Sequence, residues 1–144
     1  GYQYRISTSS PGVVTWTFYT EKHPYIVEIQ VSKSNWEVPD KWLIVDFGVG
    51  TEIMDASVTD EGEPFKVMAT VMNIAKETWE RREELFPGEN LDGFFFDPVA
   101  KPEEHPEDTS RARLYKTFIK KQFSGAEIKK LGSSYGVIPS SNTR

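Results

Sequence analysis

Two carboxylates stand where charged side chains are rarely found. Asp46 is the one charged residue in the apolar run 42–49, and Asp97 directly follows three consecutive phenylalanines, 94–96. A carboxylate in such surroundings must be ion-paired, hydrogen-bonded or shifted in pKa. Both positions are therefore candidate chemical sites.

We consider two interpretations of these carboxylates. In the first, Arg111 pairs with Asp46 or Asp97 as a structural clamp, or a strand-end carboxylate is open to water. In the second, the same residues form a pocket with an acid or base at the carboxyl ends of the strands, and Tyr115, one helical turn after Arg111, completes this candidate group.

Other catalytic or metal-binding patterns are missing from the sequence. His23 and His105 each precede a proline, and neither has a second His or Cys at ligand spacing, which is typical of surface histidines. No GxSxG, HExxH, P-loop or EF-hand spacing occurs. The acidic pairs at 103–104 and 107–108 lack the Gly-punctuated spacing of a divalent-ion loop. We predict no metal and no cofactor.

Composition narrows the class of protein. The chain has 144 residues, of which 38% are hydrophobic and 13% aromatic, and these values are typical of one globular domain. It has no cysteine, which excludes disulfides, thiolate catalysis and Cys-ligated zinc. No apolar run approaches the roughly 18 residues of a membrane span, so we expect no membrane contact.

Charge is distributed unevenly along the chain. Residues 1–108 hold nine Lys and Arg against 21 Asp and Glu, a balance of −12, whereas residues 109–144 hold eight against one, a balance of +7. The basic segment could bind nucleic acid, but the acidic part would repel a phosphate backbone within a Debye length of about 8–10 Å. We therefore expect the two parts to attract each other and regard nucleic-acid binding as the weaker alternative.

The segment 64–86 predicts a long amphipathic helix around which the other elements pack. Its apolar residues cover about half of the helical circumference, as in a helix that lies across a sheet. Pro64 suits the first turn, and Pro87-Gly88 ends the helix. The apolar stripe consists of Phe65, Val67, Met68, Val71, Met72, Ile74, Ala75, Trp79, Leu85 and Phe86.

The remaining pattern predicts strands and a second helix. Period-two alternation indicates a hairpin of strands 13–20 and 25–32, followed by a strand at 42–49 and a short one at 52–58. The phenylalanine run predicts a central strand within 91–99, buried on both faces. Residues 109–123 predict a helix, 124–131 a short helical turn, and 135–138 a last edge strand.

We predict an α+β fold: a mostly antiparallel sheet of about five strands with two helices packed on one face. Residues 1–12 are expected to be a flexible N-terminal arm or a frayed first strand, residues 13–138 a single domain, and residues 139–144 a polar tail. The unit from 52 to 99 is long enough for one right-handed parallel crossover.

The order of elements across 42–123 resembles a degenerate GNAT-type acetyltransferase: a sheet, a Gly-containing turn, a helix, a strand, and a helix with Arg-x-x-Leu-Tyr at 111–115. In that family a Gly-rich, usually basic turn binds the pyrophosphate of acetyl-CoA. Here the turn, 59–64, has one glycine, three carboxylates and a proline, and its acids would repel phosphate at the helix amino end. The resemblance therefore implies a layout and carries over no catalytic residue.

A second resemblance is to small bacteriophage-encoded domains. It rests on FKVMATV at 65–71, FFFDP at 94–98 and SRARLYKTFI at 110–119. It implies a viral origin, with a location in the host cytoplasm or in a virion, and no particular activity.

The absence of a coherent catalytic pattern favours an interaction domain that binds a host or virion protein. Trp36, in a predicted loop, could anchor such an interface, and Arg113, Lys116 and Lys120 could supply its charged part. The alternative is a small-molecule enzyme or binder, such as a divergent acyltransferase, with a strand-end pocket near Asp46 and Asp97.

Overall fold

The computed structural model describes residues 2–33, 41–50, 64–96, 110–131 and 134–139. It confirms an α+β fold built on a mostly antiparallel sheet, with seven described strands rather than about five, in the order β1-β2-β3-β4-β5-β7-β6. The elements are β1 (Tyr4–Ser10), β2 (Val13–Tyr19), β3 (Pro24–Val31), β4 (Trp42–Val49), α1 (Pro64–Glu80), α2 (Arg82–Leu85), β5 (Gly93–Phe96), α3 (Ser110–Gln122), β6 (Glu127–Leu131) and β7 (Ser134–Ile138).

The first four strands form consecutive antiparallel pairs. Their even spacing of apolar residues puts one set of side chains, including Val14, Trp16 and Phe18, on a single buried face, as the alternation predicts. The sheet begins at Tyr4, earlier than the domain start predicted at residue 13. Of the two alternatives for residues 1–12, the strand is observed at Tyr4–Ser10, where Tyr4 and Ile6 alternate toward the core and pack against it.

Both long helices pack on this same face. Side chains of α1 and α3 join the strands in one core cluster, which confirms the prediction of two helices on one face. The long helix is interrupted at Arg81, whose backbone leaves helical geometry at φ −102° and ψ 18°. This turn directs Leu85 and Phe86 into the core, where both are buried.

The phenylalanine run forms the centre of the sheet, as predicted. Phe94, Phe95 and Phe96 are each at most 1% exposed, and β5 lies between β4 and β7. Alternation places Phe94 and Phe96 on the helix side and Phe95 on the other side, against Trp42 and Ile44.

The prediction for residues 124–131 was wrong. Gly125 has a positive φ of 86°, and the Ala126 N–H donates to the Phe123 carbonyl, so these residues end α3 and do not begin a new helix. Residues 127–131 then form β6, with Glu127 and Lys129 exposed and Ile128 packed against the core.

As a consequence, the segment predicted as the last edge strand is internal. β7 pairs with β5 on one side and with β6 on the other, and β6 forms the edge. The predicted strand at 52–58 lies outside the described residues, as do the tail positions 140–144.

Candidate functional site

The sheet contains one parallel strand pair among its described strands. Trp42 to Val45 of β4 pair in parallel with Gly93 to Phe96 of β5, whereas every other described pair is antiparallel. A parallel pair requires a crossover, and α1 lies in that crossover. This β4–α1–β5 unit distinguishes the end of the sheet at which the parallel strands β4 and β5 finish.

The amino ends of β4 and β5 are held closely together. The Asp92 N–H donates to the Lys41 carbonyl at 2.8 Å, and the Trp42 and Phe95 rings lie 4.5 Å apart. Gly93 has no room for a side chain, because a Cβ there would overlap the Val137 carbonyl oxygen and lie 2.7 Å from the Trp42 ring. Only glycine lets β4, β5 and β7 approach this closely at that level.

The carboxyl ends are arranged differently. The described parallel ladder runs as far as Val45 and Phe96, the last residue described before 97–109, and β4 continues to Val49 and pairs there with β3. In the part of the chain that the structure describes, no pairing of β4 with β5 extends beyond that point. We call the region bounded by Asp46–Val49 and Phe96 the strand-end site.

The crossover brings the amino end of α1 to the same end of the sheet as the carboxyl ends of β4 and β5. Because α1 connects the carboxyl end of β4 to the amino end of β5, it must run back along the sheet. At the far end of α1, the Trp79 ring lies 5.9 Å from the Phe94 ring. At its first turn, the Phe65 ring lies 6.1 Å from the Phe118 ring of α3.

Asp46 lies in the strand-end site on the face opposite the helices. It is half-buried and directly opposite Glu28 in the β3–β4 register, where side chains on one face have Cβ atoms about 4.5–5.5 Å apart. The Gln30 side-chain amide donates to the Glu28 carboxylate at 3.2 Å, and Asp46 has a further interaction of its own. Like charges directly opposite each other destabilise a sheet, and both carboxylates have other partners here.

The described residues leave the predicted grouping of site residues a prediction, because several of its side chains lie outside them. Asp46 and α3, which carries Arg111, lie on opposite faces of the sheet, so this placement does not favour an Asp46–Arg111 clamp. Arg113 and Tyr115 are also on α3, with only their backbone positions described. Lys116 and Lys120 of α3 are exposed. Asp97 and Trp36 lie outside the described residues.

The sequence did not predict the positions of two residues, Glu28 and Phe65, near this end of the sheet. Glu28 follows ordinary strand alternation, and only the register with β4 reveals its position opposite Asp46. Phe65 was assigned to the buried stripe, but it is 63% exposed. The helical periodicity that placed Phe65 in the stripe gives no signal of this exposure.

Metal and histidine chemistry find no support in the described residues. No group of three His, Cys, Asp or Glu residues within the described ranges could hold a metal ion. His23 has a backbone role: its carbonyl accepts hydrogen bonds from the N–H and the hydroxyl of Thr20 and closes the β2–β3 turn. His105 lies outside the described residues.

No protein-family model, curated protein or solved structure matches this chain. Across the ranges that the structure describes, no helix is both long enough and apolar enough to span a membrane.

Proposed function

We propose that this chain is a ligand-binding domain with a degenerate GNAT-like layout, and that it binds a cationic or neutral small molecule at the strand-end site. The observation that carries the proposal is the parallel pair of β4 and β5, joined through α1, among described strands whose other pairs are antiparallel. Sheets with parallel strands bind ligands outside the carboxyl ends of those strands, where the chain leaves the sheet and a crevice forms.

The contrast between the two ends of the β4–β5 pair supports this location. At the amino ends, Trp42 fills the space above Gly93, so a ligand has no room there. At the carboxyl ends, β4 continues from Val45 to Val49 and carries the half-buried Asp46. The rigid end fixes the geometry of the other end, as a binding site requires.

Charge indicates the class of ligand. Asp46 and Glu28 face each other beside the site, and the sequence places Asp60, Glu61 and Glu63 directly before α1. Negative side chains at a helix amino end occupy the position that a pyrophosphate would need. The ligand is therefore cationic or neutral, and a CoA thioester is disfavoured.

The test is a titration of the uniformly ¹⁵N-labelled protein, followed by two-dimensional NMR. The probes are spermidine, tyramine and acetyl-CoA. We expect one of the amines to shift the amide signals of 47–50 and 94–96 in a saturable way, and acetyl-CoA to have no effect there. A thermal-shift assay is the companion, since a ligand at about 100 times its Kd adds about 2.7 kcal/mol.

Asp46→Asn should weaken amine binding, whereas Glu21→Gln, the same change at an exposed turn position, should not. Saturable acetyl-CoA binding at 47–50 would overturn the ligand class. Amine shifts confined to other regions, or no saturable shift with any probe, would overturn the site.

The phage origin, the host or virion protein partner and the location in the host cytoplasm or a virion stay predictions. Interaction of the basic C-terminal segment with nucleic acid stays the weaker alternative.

A further inference from the structure

The sequence contains a single Asp-Gly dipeptide, Asp92–Gly93, and it lies at the amino end of the central strand β5. Asp92 is exposed, whereas Gly93 is buried and is the first residue of β5. Among aspartate dipeptides, Asp-Gly is the most prone to form isoaspartate, because glycine has no side chain to shield its nitrogen from the preceding carboxyl group. The chain contains no Asn-Gly, which reacts in the same way.

We propose that Asp92–Gly93 is a covalent modification site: isoaspartate forms there in the unfolded chain, the native sheet suppresses the reaction, and the modified chain does not refold. This one bond then makes unfolding irreversible with time. The proposal is independent of the strand-end site, because Asp92–Gly93 lies at the amino end of β5 and that site lies at the carboxyl ends of β4 and β5.

The reaction is an isomerisation that needs no cofactor and no oxidant. The Gly93 nitrogen bonds to the side-chain carboxyl carbon of Asp92, and the carboxyl hydroxyl leaves as water with the amide hydrogen, which gives a five-membered succinimide. Water then adds to the backbone carbonyl carbon of Asp92 and breaks its bond to the Gly93 nitrogen. The main chain now runs through the side chain of residue 92, so it is one carbon longer, and the former backbone carbonyl is a free carboxylate.

The folded backbone holds both sides of this peptide bond. Ring closure turns the Gly93 nitrogen onto the Asp92 side chain and therefore displaces Gly93. The Asp92 N–H donates to the Lys41 carbonyl at 2.8 Å, and Gly93 pairs with Trp42 in the parallel ladder. Gly93 has little room to move, since even a Cβ there would overlap the Val137 carbonyl oxygen. Isomerisation must therefore wait until this end of β5 opens.

The longer chain does not fit the native sheet. The three phenylalanines at 94–96 are each at most 1% exposed, so β5 must return to the same position to bury them. With an extra carbon before Gly93, the hydrogen bond from Asp92 to Lys41 and the pairing of Gly93 with Trp42 lose their common spacing. The new carboxylate also lies beside this closely packed level, where an unpaired charge is costly. The modified chain therefore leaves the phenylalanine run exposed.

The fold constrains the two residues of the dipeptide differently. Gly93 is required by packing against Val137 and Trp42. The exposed Asp92 side chain has no hydrogen-bond or ion-pair partner within the described ranges, so Asp92→Glu should fold normally. Glutamate keeps the charge but would have to close a six-membered ring, which forms much more slowly. This variant is therefore the matched control.

The test follows isoaspartate by peptide mapping with mass spectrometry, in protein kept folded or kept unfolded in guanidinium chloride at mildly acidic pH. Isoaspartate at Asp92–Gly93 should form at least about tenfold more slowly in the folded protein, since only molecules with β5 open can react. Asp46–Phe47 is the reference within the unfolded chain and should stay almost unmodified, because the phenylalanine side chain hinders attack.

The unfolded samples are then diluted to refold and separated by size-exclusion chromatography. Isoaspartate should be enriched in the fraction that fails to refold, and Asp92→Glu should refold fully after the same incubation. Equal rates in folded and unfolded protein, no isoaspartate at Asp92–Gly93 in the unfolded chain, or modified chains that refold with the wild-type melting temperature would overturn the proposal. So would equal refolding losses in Asp92→Glu, which would place the irreversible step elsewhere.

Discussion

The two parts of the sheet are held together in different ways. In the first part, β1 to β4, each strand pairs with its neighbour in sequence, and β3 and β4 pair over their length from Tyr25–Val49 to Val31–Leu43. In the second part, β5 to β7, the described ladder between β5 and β7 runs from Phe94–Val137 to Phe96–Tyr135. In this second part, β5 reaches β4 and β7 across long stretches of sequence, whereas β6 and β7 are neighbours.

This difference shows how packing can replace ladder length. Sequence neighbours pair throughout the first part, whereas β5 must close long connections to β4 and β7 before its contacts form. Phe94 packs on Trp79, Phe96 and Phe123 at ring separations of 5.1–5.9 Å. The second part therefore depends on a few aromatic side chains and on one glycine.

The largest effect is expected from Phe94→Ala. Removal of a fully buried phenyl ring should lower the free energy of unfolding by about 3–5 kcal/mol, measured by urea denaturation. If the second part depends on this ring, hydrogen exchange should accelerate more at 94–96 and 135–137 than at 14–16. A uniform acceleration across both parts would contradict the comparison.

Gly93→Ala should cost about 1–3 kcal/mol, because the new methyl group must displace the Val137 carbonyl or the Trp42 ring. Gly12→Ala is the matched control: its φ is +82° and nothing lies within 4 Å of the new Cβ, so only backbone strain of about 1 kcal/mol is expected. An equal loss in both variants would show that close approach at Gly93 is unimportant.

Tyr4→Phe tests the hydrogen bond that joins β1 to α1. The Tyr4 hydroxyl donates to Glu77 at 3.0 Å, so its removal should cost about 0.5–1.5 kcal/mol. Burial, with help from the hydrogen bond and the charges of Glu77 and Glu80, raises the pKa of Tyr4 to about 12.

Because this pKa is higher in the folded protein than in the unfolded chain, the stabilisation is complete below pH 10.0 and is lost as the pH rises toward about 12. Wild-type stability should fall more steeply than that of the variant across this interval, as followed by urea denaturation. If stability falls equally with pH in wild type and variant, Tyr4 makes no contribution to the pH dependence.

The smallest effect is expected from Glu84→Gln. The hydrogen bonds and charge of Arg81 lower the pKa of this exposed carboxyl below its ordinary value of 4.5. Its contribution is therefore present above that pH and is lost as the pH falls further. In urea denaturation the variant should be nearly as stable as wild type at neutral pH and should lose slightly less stability on acidification.

Much of this fold could be predicted from local patterns. The alternation in β2, β3 and β4, the helical stripes of α1 and α3 and the fully apolar run of β5 each reflect a periodicity that needs no knowledge of distant residues. The prediction of a helical turn at 124–131 failed because Ser124 and Glu127 have the spacing of a capping box. Only the backbone of Gly125 shows that the chain turns out of α3 instead.

The candidate site was predicted less completely. Asp46 is identified by sequence as a charge in an apolar strand, but the sequence does not say which carboxylate faces it or that α3 lies on the other side of the sheet. Those facts depend on the β3–β4 register and on which face the helices cover.

The sequence alone determined the α+β class, the buried faces of individual strands, the absence of cysteine chemistry and the acidic and basic parts of the chain. Tertiary structure decided the insertion of β7 between β5 and β6, the parallel pair, the exposure of Phe65 and the strand register that places Asp46 opposite Glu28. The reason is physical: periodicity sets which side of an element is apolar, whereas the neighbour of that element is chosen by pairing and packing between segments far apart in the chain.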